Sequence, residues 1–295
     1  MTQLVQLQGV SSKLLAKGYS LFAISNDPVE ILDEFAVAHG ITFSLLSDEK
    51  SEVIKAFGIM NQLIEPDEGR SMRWYGIPYP GTYYLNDNCV VTDKDFHQHH
   101  ARRASGQSVL ARALGLEVEA DPDTEVVAES GDISVKLGMS ESALQLEVIS
   151  QMMIDFEVPE GWHVYAPGAP EAFTPLSLSV DGEGLRFGEV NWPDSEIMSD
   201  QDLDLAVPVF SGSFRISIPV AATSEIIRLG HEISESVNIS VAVSFQMCNE
   251  LECKLPETVK MNLRAKLARL VEPEGLSILA NRVEVIEAES GVQVR

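Results

Sequence analysis

The sequence predicts an α/β domain followed by an all-β domain, an antiparallel sandwich, in one chain of 295 residues. Helical and strand patterns alternate over the first 115 residues, whereas short alternating strands with Gly-, Pro- and Asp-rich turns follow from residue 133 onward. An acidic segment separates the two patterns. With 45% hydrophobic residues the chain can bury a sizeable core, and its length favours two domains over one.

The first region begins with a helix in which leucines recur at helical spacing: Leu4, Leu7, Leu14 and Leu15. Asp27 before Pro28 is typical of a helix start. In chain order we then expect a strand over residues 19–25, a helix over 28–39, a strand over 41–46, a helix over 50–57, a hairpin of strands 82–85 and 90–92, and a helix over 105–114.

The segment 117–131 (EVEADPDTEVVAESG) is acidic, rich in small residues and contains Pro122, which predicts a linker. We therefore expect a first domain over residues 1–118, a linker over 119–131, a second domain over 132–268 and a peripheral tail over 269–295. In the second domain, strands are predicted over residues 133–137, 144–158, 162–165, 176–180, 214–220, 239–246 and 258–263.

Charge is unevenly distributed along the chain. Residues 1–116 hold 10 Lys and Arg and 13 Asp and Glu. Of the 21 basic and 45 acidic residues in the whole chain, 11 basic and 32 acidic residues therefore lie in 117–295. Such acidity repels phosphate backbones and anionic lipid, which argues against nucleic acid as a partner. The sequence contains no apolar run of about 18 residues, so stable membrane insertion is not predicted. Residues 1–9 show no signal-peptide pattern.

Two of the three cysteines lie close together, in residues 245–256 (FQMCNELECKLP). Cys248 and Cys253 are near enough to form a local disulfide, but closing so short a loop gains little entropic stabilisation. A dithiol at a strand edge, within reach of another protein's cysteine, is suited to thiol–disulfide exchange. Spacing alone leaves open a small stabilising bridge or two unpaired core thiols.

Three segments share a pattern with a known family: residues 245–263 (FQMCNELECKLPETVKMNL), 161–168 (GWHVYAPG) and 209–220 (VFSGSFRISIPV). Together they make residues 130–265 resemble the N-terminal extracytoplasmic domain of the disulfide-interchange reductase DsbD. The resemblance implies an immunoglobulin-like sandwich whose dithiol, Cys248 and Cys253, exchanges electrons with partner proteins, with Tyr165 as an aromatic neighbour. The acidic segment 199–207 (SDQDLDLAV) falls where that family has a loop capping the disulfide.

The first region carries a second resemblance, in residues 23–59 and in residues 75–96 (YGIPYPGTYYLNDNCVVTDKDF). Residues 4–114 are similar to the redoxins, the peroxiredoxin (AhpC/TSA) and thiol-reductase branch of the thioredoxin superfamily. Pro80 sits where such proteins carry a cis-proline beside the active site, the alternative being an ordinary trans turn.

Relative to that family, the first region lacks its active-site motif. The nucleophilic cysteine that opens the first helix is absent, and so is the central strand before it, whose loss leaves backbone groups unpaired. Either Met1 is not the native start, or the thioredoxin-like domain is degenerate and rescued by a partner. Cys89 lies in a hairpin turn where family members usually have Gly, so we do not expect it to be catalytic.

Other site types are not expected. His97, His99 and His100 could suggest a metal, but two histidines on one strand face without a further ligand are typical of a surface, and His39 and His231 are isolated. The chain holds no phosphate loop, dinucleotide turn, zinc-protease helix or serine elbow. No cofactor or metal is therefore predicted.

The two resemblances together predict a thiol–disulfide oxidoreductase or antioxidant-type protein whose partners are thioredoxin-like or other thiol–disulfide proteins. The alternative is a non-enzymatic module that binds a partner, with a structural disulfide and a degenerate redoxin domain. The resemblance to DsbD favours an extracytoplasmic, periplasmic location, although the visible N-terminus shows no export signal.

Overall fold

The structure, a computed structural model, describes residues 2–64, 75–99, 102–170, 172–200, 205–228 and 236–268. Within this part of the chain there are two compact units, one ending at Leu114 and the other beginning at Gly115. The predicted tail over 269–295, His100 and His231 lie outside the described residues. No described helix combines the length and the apolar character needed to cross a membrane.

The first unit is α/β, as predicted. Its elements are α1 (Thr2–Ala16), β1 (Phe22–Ser25), α2 (Val29–His39), β2 (Ser44–Ser47), α3 (Glu52–Ala56), β3 (Gly81–Leu85), β4 (Val91–Phe96), β5 (Arg103–Ala104) and α4 (Gly106–Leu114). The leucine spacing of α1 places Leu7 and Leu14 in a core cluster with Val109 and Leu110 of α4, while Leu15 remains 70% exposed.

The strands of this unit form two separate pairs. β1 runs parallel to β2, β3 runs antiparallel to β4, and no strand joins the pairs within the described residues. Phe22 is 61% exposed and Leu46 is 46% exposed, although parallel strands are ordinarily covered on both faces. The unit therefore presents two open strand pairs in place of one continuous sheet.

Pro80 does not adopt the expected cis form. No described peptide bond is cis, so the bond between Tyr79 and Pro80 is trans and the expectation of a cis-proline is wrong. The trans isomer is the lower in energy unless the surrounding structure selects the cis isomer. Cys89 lies in the turn between β3 and β4 with φ of 58°, a left-handed conformation that glycine adopts at no steric cost.

The second unit is the predicted β-sandwich. It begins with a 3-10 turn (Pro122–Thr124) and contains β6 (Val126–Ser130), β7 (Ile133–Met139), β8 (Ala143–Gln145), β9 (Val148–Glu157), β10 (His163–Tyr165), β11 (Ser177–Asp181), β12 (Leu185–Phe187), β13 (Glu196–Asp200), β14 (Leu205–Ser211), β15 (Ser213–Ala222), α5 (Glu225–Arg228), β16 (Ser236–Phe245), β17 (Met247–Cys248) and β18 (Glu257–Ala268).

Three sheets build this unit, with strand orders β12-β15-β9-β7-β6, β11-β16-β18-β8 and β13-β14-β10-β17. Alternate residues of β9 and β16 are buried, and the ring of Phe156 on β9 meets the ring of Phe245 on β16 edge-on at 6.4 Å. The first two sheets thus pack face to face around an apolar core. Pairing is antiparallel except between β8 and β18, which run parallel.

The structure departs from the prediction at the segment expected to be a linker, 119–131. Its residues 126–130 form β6, which pairs antiparallel with β7. Val126, Ala128 and Ser130 are half-buried, while Val127 and Glu129, which alternate with them, are exposed. This is a strand period of two, which the acidic composition of the segment obscured. The linker prediction is therefore wrong for residues 126–130.

One predicted strand and one of the quoted segments are interrupted. The strand expected over 144–158 is divided into β8 and β9 because Glu147 has φ of 60° and its N–H donates to the carbonyl of Ala222 at 2.8 Å. The quoted segment 209–220 is divided into β14 and β15 by a turn at Gly212, whose φ is also 60°.

Candidate functional site

Cys248 and Cys253 form a disulfide, with an S–S distance of 2.08 Å. The bond closes the tip of the connection between β16 and β18, which pair in register up to Phe245 and Glu257. The two cysteines also form an isolated antiparallel bridge. We call residues 246–256 the cysteine hairpin.

The two sulfur-bearing residues differ sharply in exposure. Cys248 is 1% exposed and packs in an apolar cluster with Tyr165, Val207 and Val209. Cys253, in contrast, is exposed. Within the described residues, the disulfide is therefore accessible at Cys253, whereas Cys248 is covered.

Two highly exposed leucines lie within two residues of Cys253 in the chain. Leu251 is 94% exposed and Leu255 is 84% exposed. Isolated exposed leucines are ordinary on a protein surface, but these two occur together in one short hairpin.

The cysteine hairpin is held by contacts that do not involve the disulfide. The Asn249 side-chain oxygen accepts from the N–H groups of Leu251 and Glu252, both at 2.8 Å. The amide of Gln246 donates to the carbonyl of Lys254 at 3.0 Å. The ammonium of Lys254 lies 4.6 Å from the ring centre of Trp162 and 2.9 Å from a carboxylate oxygen of Asp132. These contacts hold the turn in addition to the bridge.

β10 brings Tyr165 to the disulfide. Its hydroxyl oxygen lies 3.8 Å from the sulfur of Cys253, and its ring is 4.6 Å from the ring of Phe173. Since 88 residues separate Tyr165 from Cys253 in the chain, this proximity results from the pairing of β10 with β17.

The cover over Cys248 comes from several loops and strands. Ala169, Phe173 and Met198 pack against the cluster, and Val207 of β14 is 0% exposed within it. The capping segment expected over 199–207 is a hairpin of β13 and β14 in its described part, and residues 201–204 lie outside the described residues. Phe173 and Met198 were not predicted, because nothing local links them to the cysteines.

His163 is a site residue that the sequence analysis missed. It lies directly across from Cys248 in the antiparallel pairing of β10 with β17, and its ring is 5.4 Å from that of Tyr165, edge-on. Burial lowers the pKa of His163 below its ordinary value of 6.5. The sequence did contain the signal, since His163 and Tyr165 alternate in GWHVYAPG and must share one face of a strand.

The remaining candidates do not join this cluster. Pro80 and the exposed thiol of Cys89 belong to the first unit. His97 lies 3.7 Å from a carboxylate oxygen of Asp95, and burial lowers the pKa of His97. Over the described ranges, no three or more His, Cys, Asp or Glu side chains gather as a metal would require.

The chain thus combines an α/β unit with a β-sandwich that carries a disulfide with one exposed cysteine. Residues 1–94 match the AhpC/TSA family, and residues 142–265 match the family described as thiol:disulfide interchange protein DsbD, N-terminal. Both resemblances expected from the sequence are therefore confirmed, and both families point to thiol–disulfide chemistry.

Solved structures similar to the chain include the reduced DsbD N-terminal domain of Neisseria meningitidis, with 15% identity, 39% of this chain and 77% of that chain covered, and a TM-score of 0.27. The N-terminal periplasmic domain of ScsB from Proteus mirabilis is also similar, with 10% identity, 58% of each chain covered and a TM-score of 0.34. No curated protein matches the chain.

Proposed function

We propose that the chain is a thiol–disulfide oxidoreductase in which Cys248 and Cys253 exchange electrons with the dithiol of a thioredoxin-like protein. The observation that carries this proposal is the asymmetry of the disulfide, with Cys253 exposed and Cys248 1% exposed. An incoming thiolate must approach along the S–S axis, so access decides which sulfur it attacks.

The exchange has two steps. A thiolate of the reduced partner attacks the sulfur of Cys253, the S–S bond breaks, and its electron pair passes to Cys248, which leaves as a thiolate. The second thiolate of the partner then attacks the partner's own sulfur in the mixed disulfide and releases Cys253 as a thiolate. The partner ends as a disulfide, and this chain gains two electrons and takes up two protons from water. The same steps in reverse oxidise the chain.

The hydrogen bonds of the cysteine hairpin argue against the alternative of a purely structural bridge. Asn249, Gln246 and Lys254 already hold the turn through contacts that reduction leaves intact. A dithiol on a turn that keeps its shape in both redox states can return to the disulfide without refolding.

Leu251 and Leu255 are the residues that we propose for partner contact. Their exposure of 94% and 84% places two apolar side chains beside Cys253, where a docked protein would cover them. Exchange between two folded proteins requires such contacts, because both cysteines must be held in line during attack.

We further propose that the two regions are separate domains, that the first ends near residue 118 as expected from the sequence, and that the second includes β6. Pro80 would mark the degenerate active-site side of the first domain. An extracytoplasmic, periplasmic location fits the proposal, because disulfides persist in oxidising compartments.

Trapping of the mixed disulfide tests the proposed function. A Cys248→Ala variant keeps only the exposed thiol of the pair. It should form a stable mixed disulfide with a thioredoxin-like protein whose second active-site cysteine is replaced by Ala and whose remaining cysteine carries 5-thio-2-nitrobenzoate as the leaving thiol. A Cys253→Ala variant, matched to it, should react at least about tenfold more slowly because its remaining thiol must first be uncovered. Both variants carry Cys89→Ala, so that no other thiol reacts.

Equal trapping by the two variants would show that exposure does not select the attacked sulfur. Absence of exchange with every thioredoxin-like protein tried, while small-molecule thiols reduce the bridge, would favour the non-enzymatic binding module.

A further inference from the structure

When the disulfide opens, the leaving sulfur carries a negative charge among apolar side chains. The sulfur that leaves belongs to Cys248, which is 1% exposed and packed with Tyr165, Val207 and Val209. Burial among apolar groups disfavours the charged form of a thiol and raises its pKa. A hydrogen-bond donor beside this sulfur would counter that effect, since donors bind thiolates more strongly than thiols.

The backbone of the cysteine hairpin offers few donors for this purpose. Several of its N–H groups already donate to oxygen atoms within the hairpin: Asn249 to the carbonyl of Glu252, Lys254 to the carbonyl of Met247, and Leu251 and Glu252 to the side chain of Asn249. A donor for Cys248 must therefore be sought on a neighbouring strand.

His163 stands in the position that such a donor needs. It is the Cα partner of Cys248 in the antiparallel pairing of β10 with β17. Side chains of directly opposed residues project to the same face, with their Cβ atoms about 4.5–5.5 Å apart. Tyr165 extends the same face, since its ring is 5.4 Å from that of His163 and its hydroxyl 3.8 Å from the sulfur of Cys253.

The imidazole of His163 also has unused hydrogen-bonding capacity. Its Nε2 atom is buried and has no hydrogen-bond partner among the described residues, a costly arrangement for a residue whose only role is structural. On the other side of β10 its strand neighbour is Ser211, whose hydroxyl donates to Glu196 at 2.9 Å. The titratable residues on β17, β14 and β13 are thus Cys248, Glu196 and Asp200, with Tyr165 on β10 itself.

We propose that His163 donates a hydrogen bond from its imidazole to the sulfur of Cys248 when the disulfide opens, and thereby stabilises Cys248 as the leaving thiolate. This inference deepens the proposed function and rests on it. The partner's dithiol supplies the two electrons, the S–S bond breaks, and the S–S electron pair comes to rest on Cys248. A proton from water later neutralises that thiolate, and His163 keeps its own proton throughout.

The test measures the thiol of Cys248 by itself. In a chain carrying Cys89→Ala and Cys253→Ala, Cys248 is the only thiol, and its thiolate is followed by absorbance at 240 nm against pH. His163→Leu removes the donor, whereas His163→Gln keeps an N–H near the position of Nε2. We expect the thiolate midpoint to rise by about 1 to 2 pH units in the Leu variant and to return most of the way in the Gln variant.

Equal midpoints for His, Leu and Gln at position 163, in chains with the same far-ultraviolet circular dichroism, would overturn the proposal. A second readout needs no substitution at position 163. The NMR signals of the His163 ring should shift with pH at the midpoint of the Cys248 thiolate. Signals that do not shift at that midpoint would equally overturn the proposal. Because neither measurement uses a partner protein, failure of exchange and failure of the His163 role give separate results.

Discussion

Reduction of the Cys248–Cys253 bridge should leave the sandwich folded and only moderately less stable. The cysteines are five positions apart, so the closed loop is short. Loop-closure entropy for about six residues amounts to about 7 cal/mol/K, or about 2 kcal/mol at 25 °C. The contacts of Asn249 and Lys254 remain after reduction, so we expect no larger structural loss.

Hydrogen exchange measures this difference. The slowest amides should lie in β9 and β15, where Ile154 and Ile216 face each other and are both 0% exposed. A loss of about 2 kcal/mol accelerates their exchange about 30-fold when a phosphine reductant is added. The matched control is the Cys248→Ala, Cys253→Ala chain, in which the reductant should change nothing.

An acceleration above about 1,000-fold, corresponding to about 4 kcal/mol, would refute the reasoning. The bridge would then hold the fold, and a protein that unfolds on reduction is unsuited to repeated exchange. Complete loss of protection in the reduced chain would lead to the same conclusion.

Three further predictions concern other residues. Replacing Leu251 and Leu255 by Ser should slow exchange with a thioredoxin-like partner at least about tenfold, because burying a leucine contributes about 1.5–3 kcal/mol. Val127→Ser, at an exposed strand position of the same unit, is the control. Equal exchange rates for the leucine variant and the control in stopped-flow assays would contradict the proposed contact. Burial raises the pKa of Asp48, but hydrogen bonds from the N–H groups of Ile54 and Glu52 outweigh this effect and lower the pKa below 3.8. The ionised Asp48 therefore stabilises α3 above pH 3.8, and this stabilisation is lost as the pH falls through the lowered pKa. Acid titration of Asp48→Ala against the parent chain should show the difference in stability disappearing in that range, and a difference that persists at lower pH would contradict it. Burial raises the pKa of Tyr84 to about 12, which ultraviolet titration of the parent and Tyr84→Phe chains should show as one missing phenol titrating at that pH.

Much of the fold could be predicted because it depends on local periodicity. The helical spacing of Leu7 and Leu14 marks α1, and runs such as 239–246 mark long sandwich strands. Short strands were missed: β12, β13, β14 and β17 did not appear in the prediction as separate strands, since two to seven residues carry too little pattern. β6 was missed because its five residues lie within an otherwise acidic segment.

The candidate site was predicted only in part, and the reason is distance along the chain. Cys248 and Cys253 are neighbours in sequence, so their pairing is a local property, and the family resemblance added Tyr165. His163, Phe173 and Met198 reach the disulfide through strand pairing and loop packing that no local pattern encodes.

The sequence by itself determined the class of each unit, the likeness to two thiol–disulfide families and the identity of the cysteine pair, because residue types and short-range spacing carry that information. The tertiary structure alone decided that Cys248 is buried while Cys253 is exposed, that the bond before Pro80 is trans, and that His163 lies opposite Cys248 in the strand pairing. Exposure, isomer and register are set by contacts between residues distant in the chain, and only the folded backbone brings those residues together.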